Sequence, residues 1–205
     1  ASMTHGATVC PMPYFSAKSS LACINQERIT CFNGVPTMFI AELGLPDFDR
    51  YDLSSLRTGV MAGSPCPEEI MKRVIGEMNM AEVAICYGMT ETSPVSTMTR
   101  RGDSLARRTR TVGQTMPHLE SQVVDPGSGQ QVPYGEIGEL CTRGYSVMAG
   151  YWNQPEATAP TGPHVLRRPH QDSASSQTSP PRVKSVRAVR NNRSHDIGSF
   201  GAAEV

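Results

Sequence analysis

The stretch AICYGMTETSP, residues 84–94, changes character halfway along its length. Its first three residues are apolar and suit a strand inside a sheet. A glycine follows, then two threonines on either side of a carboxylate, then Ser-Pro. Polar groups at the end of a buried strand, beside a glycine that lets other atoms approach the backbone, are typical of a ligand site. A polar turn that caps the next helix is the alternative interpretation of the same residues.

The segments before this stretch alternate between helix and strand. We predict helices over 17–27, from Pro36 to about Leu43 and from Pro67 through Met78, and strands over 29–32, 56–62 and 82–86. Pro36 and Pro67 each suit the first turn of a helix, and the apolar residues of 67–78 recur every three or four positions. This alternation favours an α/β fold in which helices flank a parallel sheet.

Beyond residue 110 the pattern changes to short strands, which we predict over 121–125, 130–133 and 136–143. Turn residues at such close spacing predict a small antiparallel β subdomain. From residue 160 the chain is rich in Ser, Pro, Arg and Gln with almost no apolar period, which predicts a disordered tail. The predicted organisation is therefore an α/β subdomain over 1–110, a β-rich subdomain over 111–159 and a tail over 160–205.

The balance of basic and acidic residues also changes at residue 160. Residues 1–159 carry 12 Lys and Arg against 16 Asp and Glu, whereas residues 160–205 carry 7 against 3. A basic tail makes a nucleic-acid-binding protein one alternative. However, the tail has a single aromatic side chain, Phe200, and so offers no platform on which bases stack. We therefore expect no nucleic-acid partner.

Cysteine usage and hydropathy bear on the cellular compartment. The six cysteines include no C-x-x-C pair and no Cys/His cluster at zinc spacing, so we interpret them as free thiols in a reducing compartment. Every apolar run is shorter than the ~18 residues that a membrane helix needs. We expect no membrane span and a cytoplasmic location, or the mitochondrial matrix if a transit peptide precedes the given sequence.

The ends of two predicted strands carry the candidate chemistry. The carboxyl ends of neighbouring parallel strands meet at one edge of a sheet, which predicts that the loops 63–65 and 87–91 lie there. A phenol ring can stack on a base, a threonine hydroxyl can bind phosphate, and a carboxylate suits Mg²⁺. A nucleotide site at this edge would use Gly63, Tyr87, Gly88 and Thr90, with Glu91 as the metal ligand.

Five segments in this order along the chain resemble one known superfamily: NGVPTMF (33–39), AGSPCPEE (62–69), YGMTE (87–91), VGQTMP (112–117) and GELCTRGYSVMAGYW (138–152). They resemble the adenylate-forming (AMP-binding) enzymes, most of all the medium- and long-chain fatty-acyl-CoA synthetases. The resemblance covers about residues 1–158. It implies an acid–thiol ligase in which ATP converts a fatty acid into an acyl-adenylate, and coenzyme A then displaces AMP.

The resemblance also implies a role for each motif residue. Gly63, Ser64 and Pro65 would line the adenine, and Tyr87 would stack on it. Thr90 and Glu91 would be the catalytic pair, with Thr90 on the α-phosphate and Glu91 on Mg²⁺. The acyl pocket would be bordered by Gly34, Met38 and Met89. The implied substrates and cofactors are a carboxylic acid, ATP, coenzyme A and Mg²⁺.

The sequence also departs from the family pattern. The phosphate loop with its lysine and the small C-terminal domain are not found in it, and Pro163 follows Thr161-Gly162 where the family has Thr-Gly-Asp. We therefore expect a fragment that forms no acyl-CoA by itself; a non-catalytic nucleotide-binding homologue is the alternative. A sheet cut from a larger one would have apolar edges, which predicts self-association through strands such as 56–62 and 82–86.

Several arginines lie close together after the predicted strand over 82–86: Arg100, Arg101, Arg107, Arg108 and Arg110. Their side chains suit the phosphates of coenzyme A, although we interpret the segment as a solvated loop.

Overall fold

The helices and strands that surround the motifs are seen in a computed structural model, which describes residues 2–158, 166–169 and 185–189. The described chain separates into two units, Ala1–Ile85 and Cys86–Val205. Among the described residues, no helix combines the length and the apolar character that crossing a bilayer requires. The division that the sequence predicts at residues 110 and 159 stays a prediction.

The first unit contains three helices, α1 (Ala17–Glu27), α2 (Pro36–Leu43) and α3 (Glu68–Glu77). The predictions for 17–27 and 36–43 are confirmed, and that for 67–78 is one residue too long at each end. Helix α1 starts at Ser16, whose side chain accepts from the backbone of Ser19, and stops where Arg28 adopts a left-handed conformation with φ 51°. Local signals therefore set these boundaries.

Two parallel strands complete this unit, β1 (Thr58–Met61) and β2 (Glu82–Tyr87), whose last two residues belong to the second unit. Their register pairs Thr58 with Glu82 and Met61 with Ile85, which confirms the predicted parallel pairing. The buried side chains of the core include Leu21, Ile24, Phe39, Leu56, Met61, Met71 and Val74.

The predicted strand over 29–32 is wrong. Residues 31 and 34 form only isolated parallel bridges, Cys31 with Thr58 and Gly34 with Met61. Between them the backbone amide of Val60 donates to the side-chain Oδ1 of Asn33 at 2.9 Å, so a side chain interrupts the ladder. This segment nevertheless covers the edge of β1 that faces away from β2. The predicted open edge at 56–62 is therefore wrong as well.

In the second unit the chain continues from β2 into two short antiparallel strands, β3 (Thr97–Met98) and β4 (Gln114–Thr115). Cys86 pairs with Met98, and Thr97 pairs with Thr115. In this sheet, the predicted parallel pairing therefore holds for β1 and β2, whereas β3 and β4 are antiparallel. Residues 88–96 return the chain directly, which produces an antiparallel neighbour, whereas a parallel one needs a longer crossover.

The predicted antiparallel subdomain is confirmed by β5 (Leu119–Val124) and β6 (Glu139–Gly144), whose register runs from Leu119 opposite Gly144 to Val124 opposite Glu139. The predicted strand over 130–133 is wrong, because only an isolated bridge from Gln131 to Val124 forms. Asp125 draws residues 127–129 into a tight turn by accepting hydrogen bonds from their backbone amides. After this turn, the chain pairs with β5 at that one bridge.

Two segments of the C-terminal region, β7 (Leu166–Pro169) and β8 (Ser185–Val189), extend this sheet in the order β5-β6-β8-β7. Strand β8 runs parallel to β6 and antiparallel to β7. The prediction of a disordered tail did not anticipate these strands. The rest of 160–205 lies outside the described residues.

Candidate functional site

The loop after β1 carries three of the predicted nucleotide-binding residues. Gly63, Ser64 and Pro65 are all exposed at the end of the strand. Gly63 has φ +91°, which other residues adopt only with strain, and a side chain there would start 3.1 Å from Cγ1 of Val35. The backbone amide of Ala62 donates to the carbonyl of Gly34 at 3.2 Å, which fixes where this loop begins.

Two of the predicted acyl-pocket residues also meet in the first unit. A Cβ built on Gly34 would lie 3.4 Å from both Sδ and Cε of Met38 and 3.2 Å from the ring of Phe39. Gly34 therefore leaves just enough space for the start of α2 to pack over it. Met89, the third predicted pocket residue, belongs to the second unit and is half-buried there.

In the second unit, Gly88 is required by the fold itself. A Cβ at this position would lie 1.9 Å from the carbonyl oxygen of Pro94, which no side chain can tolerate. The backbone amide of Ser96 donates to the carbonyl of Tyr87 at 2.9 Å, so the loop over 88–95 closes on itself. From the sequence, we interpreted this glycine as one that lets a ligand approach the backbone. In the structure, the backbone of Pro94 and Val95 lies closest to it.

A single 3₁₀ turn, Thr90–Thr92, holds the predicted catalytic pair. The buried Thr92 hydroxyl donates to the carbonyl of Met89 at 3.0 Å and accepts from the amide of Met89 at 3.2 Å. The hydroxyl of Ser96 donates to the same oxygen at 3.0 Å. These bonds fix the turn so that Thr90 is exposed and Glu91 points inward. Sequence reasoning missed Thr92 and Ser96, whose only signal was their hydroxyl content.

Glu91 is buried, with 1% of its surface exposed, and its carboxylate is held by a distant tyrosine. The Tyr151 hydroxyl donates to Glu91 Oε1 at 2.6 Å, and the backbone amide of Met148 donates to the Glu91 carbonyl at 2.9 Å. Met148 and Tyr151 in turn pack on the buried side chain of Val147. Tyr151 was missed as a site residue, although it lies in the quoted segment 138–152.

Tyr87 precedes this loop and is half-buried, and burial raises the pKa of its phenol. It therefore stays protonated at neutral pH. A protonated, partly covered phenol keeps an apolar ring face for stacking, which is what the predicted role on adenine requires.

The described residues contain no group of three or more His, Cys, Asp or Glu side chains that could hold a metal ion. Mg²⁺ in nucleotide enzymes is typically bound by one or two carboxylates together with phosphate oxygens and waters. A carboxylate offers about four acceptor positions, so Glu91 can accept from Tyr151 and still contact a cation that arrives with phosphate. A single carboxylate of this kind therefore fits a Mg²⁺ ion that arrives with a phosphate substrate.

The arginine-rich segment is not the solvated loop that we predicted. It forms a short helix, α4 (Leu105–Arg110), capped by the Ser104 hydroxyl, and Arg108 is buried. Arg100 donates from its guanidinium to the carbonyl of Thr115 at 3.1 Å. At least these two side chains serve the fold of the second unit.

Comparisons with known proteins agree with the resemblance seen in the motifs. The family model described as "AMP-binding enzyme" matches residues 1–152. The "Putative acyl-CoA synthetase YngI" of Bacillus subtilis (strain 168) is 54% identical over 153 residues, which cover 75% of this chain and 28% of that protein. The mitochondrial medium-chain acyl-CoA ligase ACSF2 of Mus musculus is 45% identical over 161 residues, covering 78% of this chain and 26% of the ligase.

A solved structure gives the same result at the level of the fold. The anthranilate CoA ligase AuaEII, crystallised with anthranoyl-AMP, superposes with a TM-score of 0.69 at 30% identity, covering 76% of this chain and 30% of that one. The chain spans about a quarter of the length of the curated relatives it matches. By its motifs, its fold and these matches, the chain belongs to the AMP-binding enzyme family.

Proposed function

We propose that this chain is part of an AMP-forming acyl-CoA synthetase that activates a medium- or long-chain carboxylic acid. The observation that carries the proposal is the turn over 90–92, which exposes Thr90 and holds the buried Glu91 on the hydroxyl of Tyr151. The relatives named as acyl-CoA synthetase or ligase support the reaction class. The solved ligase with anthranoyl-AMP supports an acyl-adenylate as the species bound.

The reaction that we propose for the whole protein has two steps. A carboxylate oxygen of the acid attacks the α-phosphorus of ATP, the bond from that phosphorus to the bridging oxygen breaks, and pyrophosphate leaves. The sulfur of coenzyme A then attacks the acyl carbon, loses its proton, and displaces AMP to give the thioester. Both steps develop negative charge on phosphate or acyl oxygens, which fixed hydrogen-bond donors stabilise.

In the second unit, Thr90 would donate its exposed hydroxyl to an α-phosphate oxygen, and Glu91 would contact Mg²⁺ that arrives with ATP. Bound Mg²⁺ would neutralise charge on the phosphates. Tyr151 would keep the Glu91 carboxylate in one orientation, and Tyr87 would stack on adenine. Gly88 would shape the loop that carries these residues.

In the first unit, the exposed loop Gly63–Pro65 would line the adenine. Gly34 and Met38 would border the acyl chain. We retain the cytoplasm as the proposed location of the protein, with the mitochondrial matrix as the alternative that the name of the mouse relative supports.

The experiment separates nucleotide binding from turnover. Titration calorimetry of the 205-residue chain would use a non-hydrolysable acyl-adenylate analogue, with and without Mg²⁺. Hydrogen bonds to charged groups contribute about 1.5–3 kcal/mol, so Thr90→Ala should weaken binding by roughly 10- to 100-fold. Thr4→Ala, at an exposed threonine far from the motifs in sequence, is the matched control. Equal affinity in both variants would contradict the proposed role of Thr90.

A parallel assay with ATP, Mg²⁺, coenzyme A and fatty acid tests the expected lack of turnover. Pro163 stands where the resemblance implies a ribose-binding aspartate, and the family's catalytic lysines are not found in the 205 residues. We therefore expect no acyl-CoA above a heat-killed control. Binding without turnover would also fit the non-catalytic nucleotide-binding homologue, whereas turnover would establish the chain as an active ligase.

A further inference from the structure

Thr158 contacts Tyr151, the residue whose hydroxyl holds Glu91. The backbone amide of Tyr151 donates to Oγ1 of Thr158 at 3.0 Å, and the Thr158 hydroxyl donates to the carbonyl of Gln154 at 2.9 Å. Thr158 is the last residue of a short helix of the second unit, α5 (Pro155–Thr158). The Thr158 side chain therefore connects this helix to the backbone of Tyr151.

Backbone hydrogen bonds make this connection part of a closed ring. The Gln154 amide donates to the carbonyl of Tyr151 at 3.2 Å, and the Thr158 amide donates to the carbonyl of Gln154 at 3.1 Å. The Thr158 hydroxyl closes the ring, because it accepts the hydrogen bond from the Tyr151 amide. Both backbone groups of Tyr151 are therefore held by the segment that leads into and forms α5.

The residue before Tyr151 provides the space that Thr158 occupies. A Cβ built on Gly150 would lie 2.9 Å from Cγ2 of Thr158 and 3.1 Å from its Oγ1, which is closer than side-chain carbons normally approach other atoms. Gly150 therefore lets Thr158 reach the amide of Tyr151. A side chain at position 150 would push Thr158 away from this amide.

The position of the Tyr151 backbone sets the position of its phenol. The hydroxyl of Tyr151 lies 2.6 Å from Oε1 of Glu91, a length typical of a hydroxyl that donates to a carboxylate. Because this oxygen is at the far end of a rigid ring, a small rotation of the backbone becomes a larger displacement of the hydroxyl. Misplacing a catalytic group by about 1 Å can lower a rate by roughly 100-fold.

We propose that Thr158 is a positioning residue that acts through Tyr151 to orient the carboxylate of Glu91 toward Mg²⁺. This inference rests on the proposed function, in which Glu91 contacts Mg²⁺ that arrives with ATP. Thr158 itself touches neither the metal nor the nucleotide. Loss of its hydroxyl should therefore reduce the contribution of Mg²⁺ to nucleotide binding, and should do so only while Tyr151 carries its own hydroxyl.

The test measures how much Mg²⁺ strengthens the binding of α,β-methylene ATP, in which the bond between the α- and β-phosphates cannot be cleaved in the usual way. Calorimetry on the 205-residue chain gives the dissociation constant with EDTA and with Mg²⁺, and we call the ratio of the two the Mg²⁺ effect. Glu91→Gln defines the Mg²⁺ effect that remains without the carboxylate. Thr158→Val keeps the shape of the side chain, and we expect it to lower the Mg²⁺ effect by roughly 5-fold, toward the Glu91→Gln value.

Three variants test whether the hydroxyl is the cause. Thr158→Ser keeps the hydroxyl and should retain the wild-type Mg²⁺ effect. Thr109→Val is the matched control, because the Thr109 hydroxyl also donates to the carbonyl four residues earlier, that of Leu105, at 2.9 Å. It should leave the Mg²⁺ effect unchanged. Gly150→Ala keeps every hydroxyl but displaces Thr158, so it should lower the Mg²⁺ effect even if Thr158→Val fails to fold.

A double variant tests the route through Tyr151. Tyr151→Phe alone should lower the Mg²⁺ effect, and adding Thr158→Val should lower it no further, because the two residues act in series. A further loss in the double variant would overturn the proposal. It would also be overturned if Thr158→Val unfolds at a lower urea concentration but keeps the wild-type Mg²⁺ effect, since Thr158 would then serve the fold alone. Equal Mg²⁺ effects in wild type and Glu91→Gln would instead overturn the proposed role of Glu91, and this inference with it.

Discussion

The hydroxyl of Tyr151 donates a 2.6 Å hydrogen bond to Oε1 of Glu91, 60 residues earlier in the chain. This bond joins two of the five motif segments, 87–91 and 138–152, inside the second unit. The amide of Met148 reinforces it by donating to the Glu91 carbonyl at 2.9 Å. The carboxylate proposed to meet Mg²⁺ is therefore positioned by a residue that no local pattern connects to it.

We expect Tyr151→Phe to lower the free energy of unfolding by about 1–3 kcal/mol, because it removes a donor from a buried carboxylate. Urea denaturation followed by circular dichroism measures the loss. Tyr145→Phe is the matched control, since 77% of the Tyr145 surface is exposed. If the two variants unfold at the same urea concentration, the bond to Glu91 contributes nothing to stability.

A second prediction concerns the glycine at the start of the motif loop. Gly88→Ala places a methyl group against the carbonyl of Pro94, where the separation would be 1.9 Å, so the backbone must shift. We expect a loss of about 1–3 kcal/mol in stability, together with weaker binding of the acyl-adenylate analogue.

Gly76→Ala is the control for this substitution, because a Cβ at Gly76 meets nothing within 4 Å. Gly76 lies inside α3, where alanine is favoured over glycine, so this variant should be more stable by about 0.5–1 kcal/mol. A loss of stability in Gly88→Ala together with a gain in Gly76→Ala would support the steric argument. If Gly88→Ala is as stable as the wild type, the loop over 88–95 can move enough to accommodate a methyl group.

Glu42 in α2 predicts an unusual dependence of stability on pH. The residue is fully buried (0% exposed), and burial raises its pKa from 4.5 to about 7, partly offset by the neighbouring Ser20 side chain. The folded state therefore holds a proton that the unfolded state has already released between these two values. The stabilisation is complete below about pH 4.5 and is lost as the pH rises through about 7.

Glu42→Gln removes this titration while keeping the shape of the side chain. We expect it to unfold like the wild type near pH 4.5 and to be more stable above pH 7, by up to about 3 kcal/mol. Glu27→Gln, at an exposed glutamate of α1, is the matched control. Chemical denaturation at several pH values measures both. If the free energies of unfolding of Glu42→Gln and the wild type differ by the same amount at every pH, the titration of Glu42 does not affect stability.

We still predict self-association, but we now expect it to involve exposed aromatic side chains and not the edge of β1. The edge of β1 is covered by residues 30–34, so strand pairing there is blocked. Large side chains of the second unit are exposed instead, with Trp152 at 89% and Tyr145 at 77%. Exposed aromatic groups favour association, so Trp152→Ser should reduce the mass seen by light scattering coupled to size exclusion. Phe15→Ser, at an exposed aromatic residue of the first unit, is the control.

The sequence by itself determined the elements whose causes are local. Pro36 and Pro67 mark where α2 and α3 begin, and the spacing of apolar residues defines the buried face of α3. The five motif segments identified the family. Such signals act within a few residues, through backbone restriction and side-chain periodicity, so they can be recognised without knowing what packs against them.

Only the tertiary structure decided which distant groups meet. Asn33 replaces a backbone acceptor beside β1, Pro94 occupies the space that Gly88 leaves open, and Glu42 loses its contact with water. Tyr151 reaches Glu91 because β6 and the segment after it return to the turn that holds the carboxylate. These contacts join residues far apart in the chain, and their energies depend on burial and on distance in space, neither of which is encoded in the spacing of residues along the sequence.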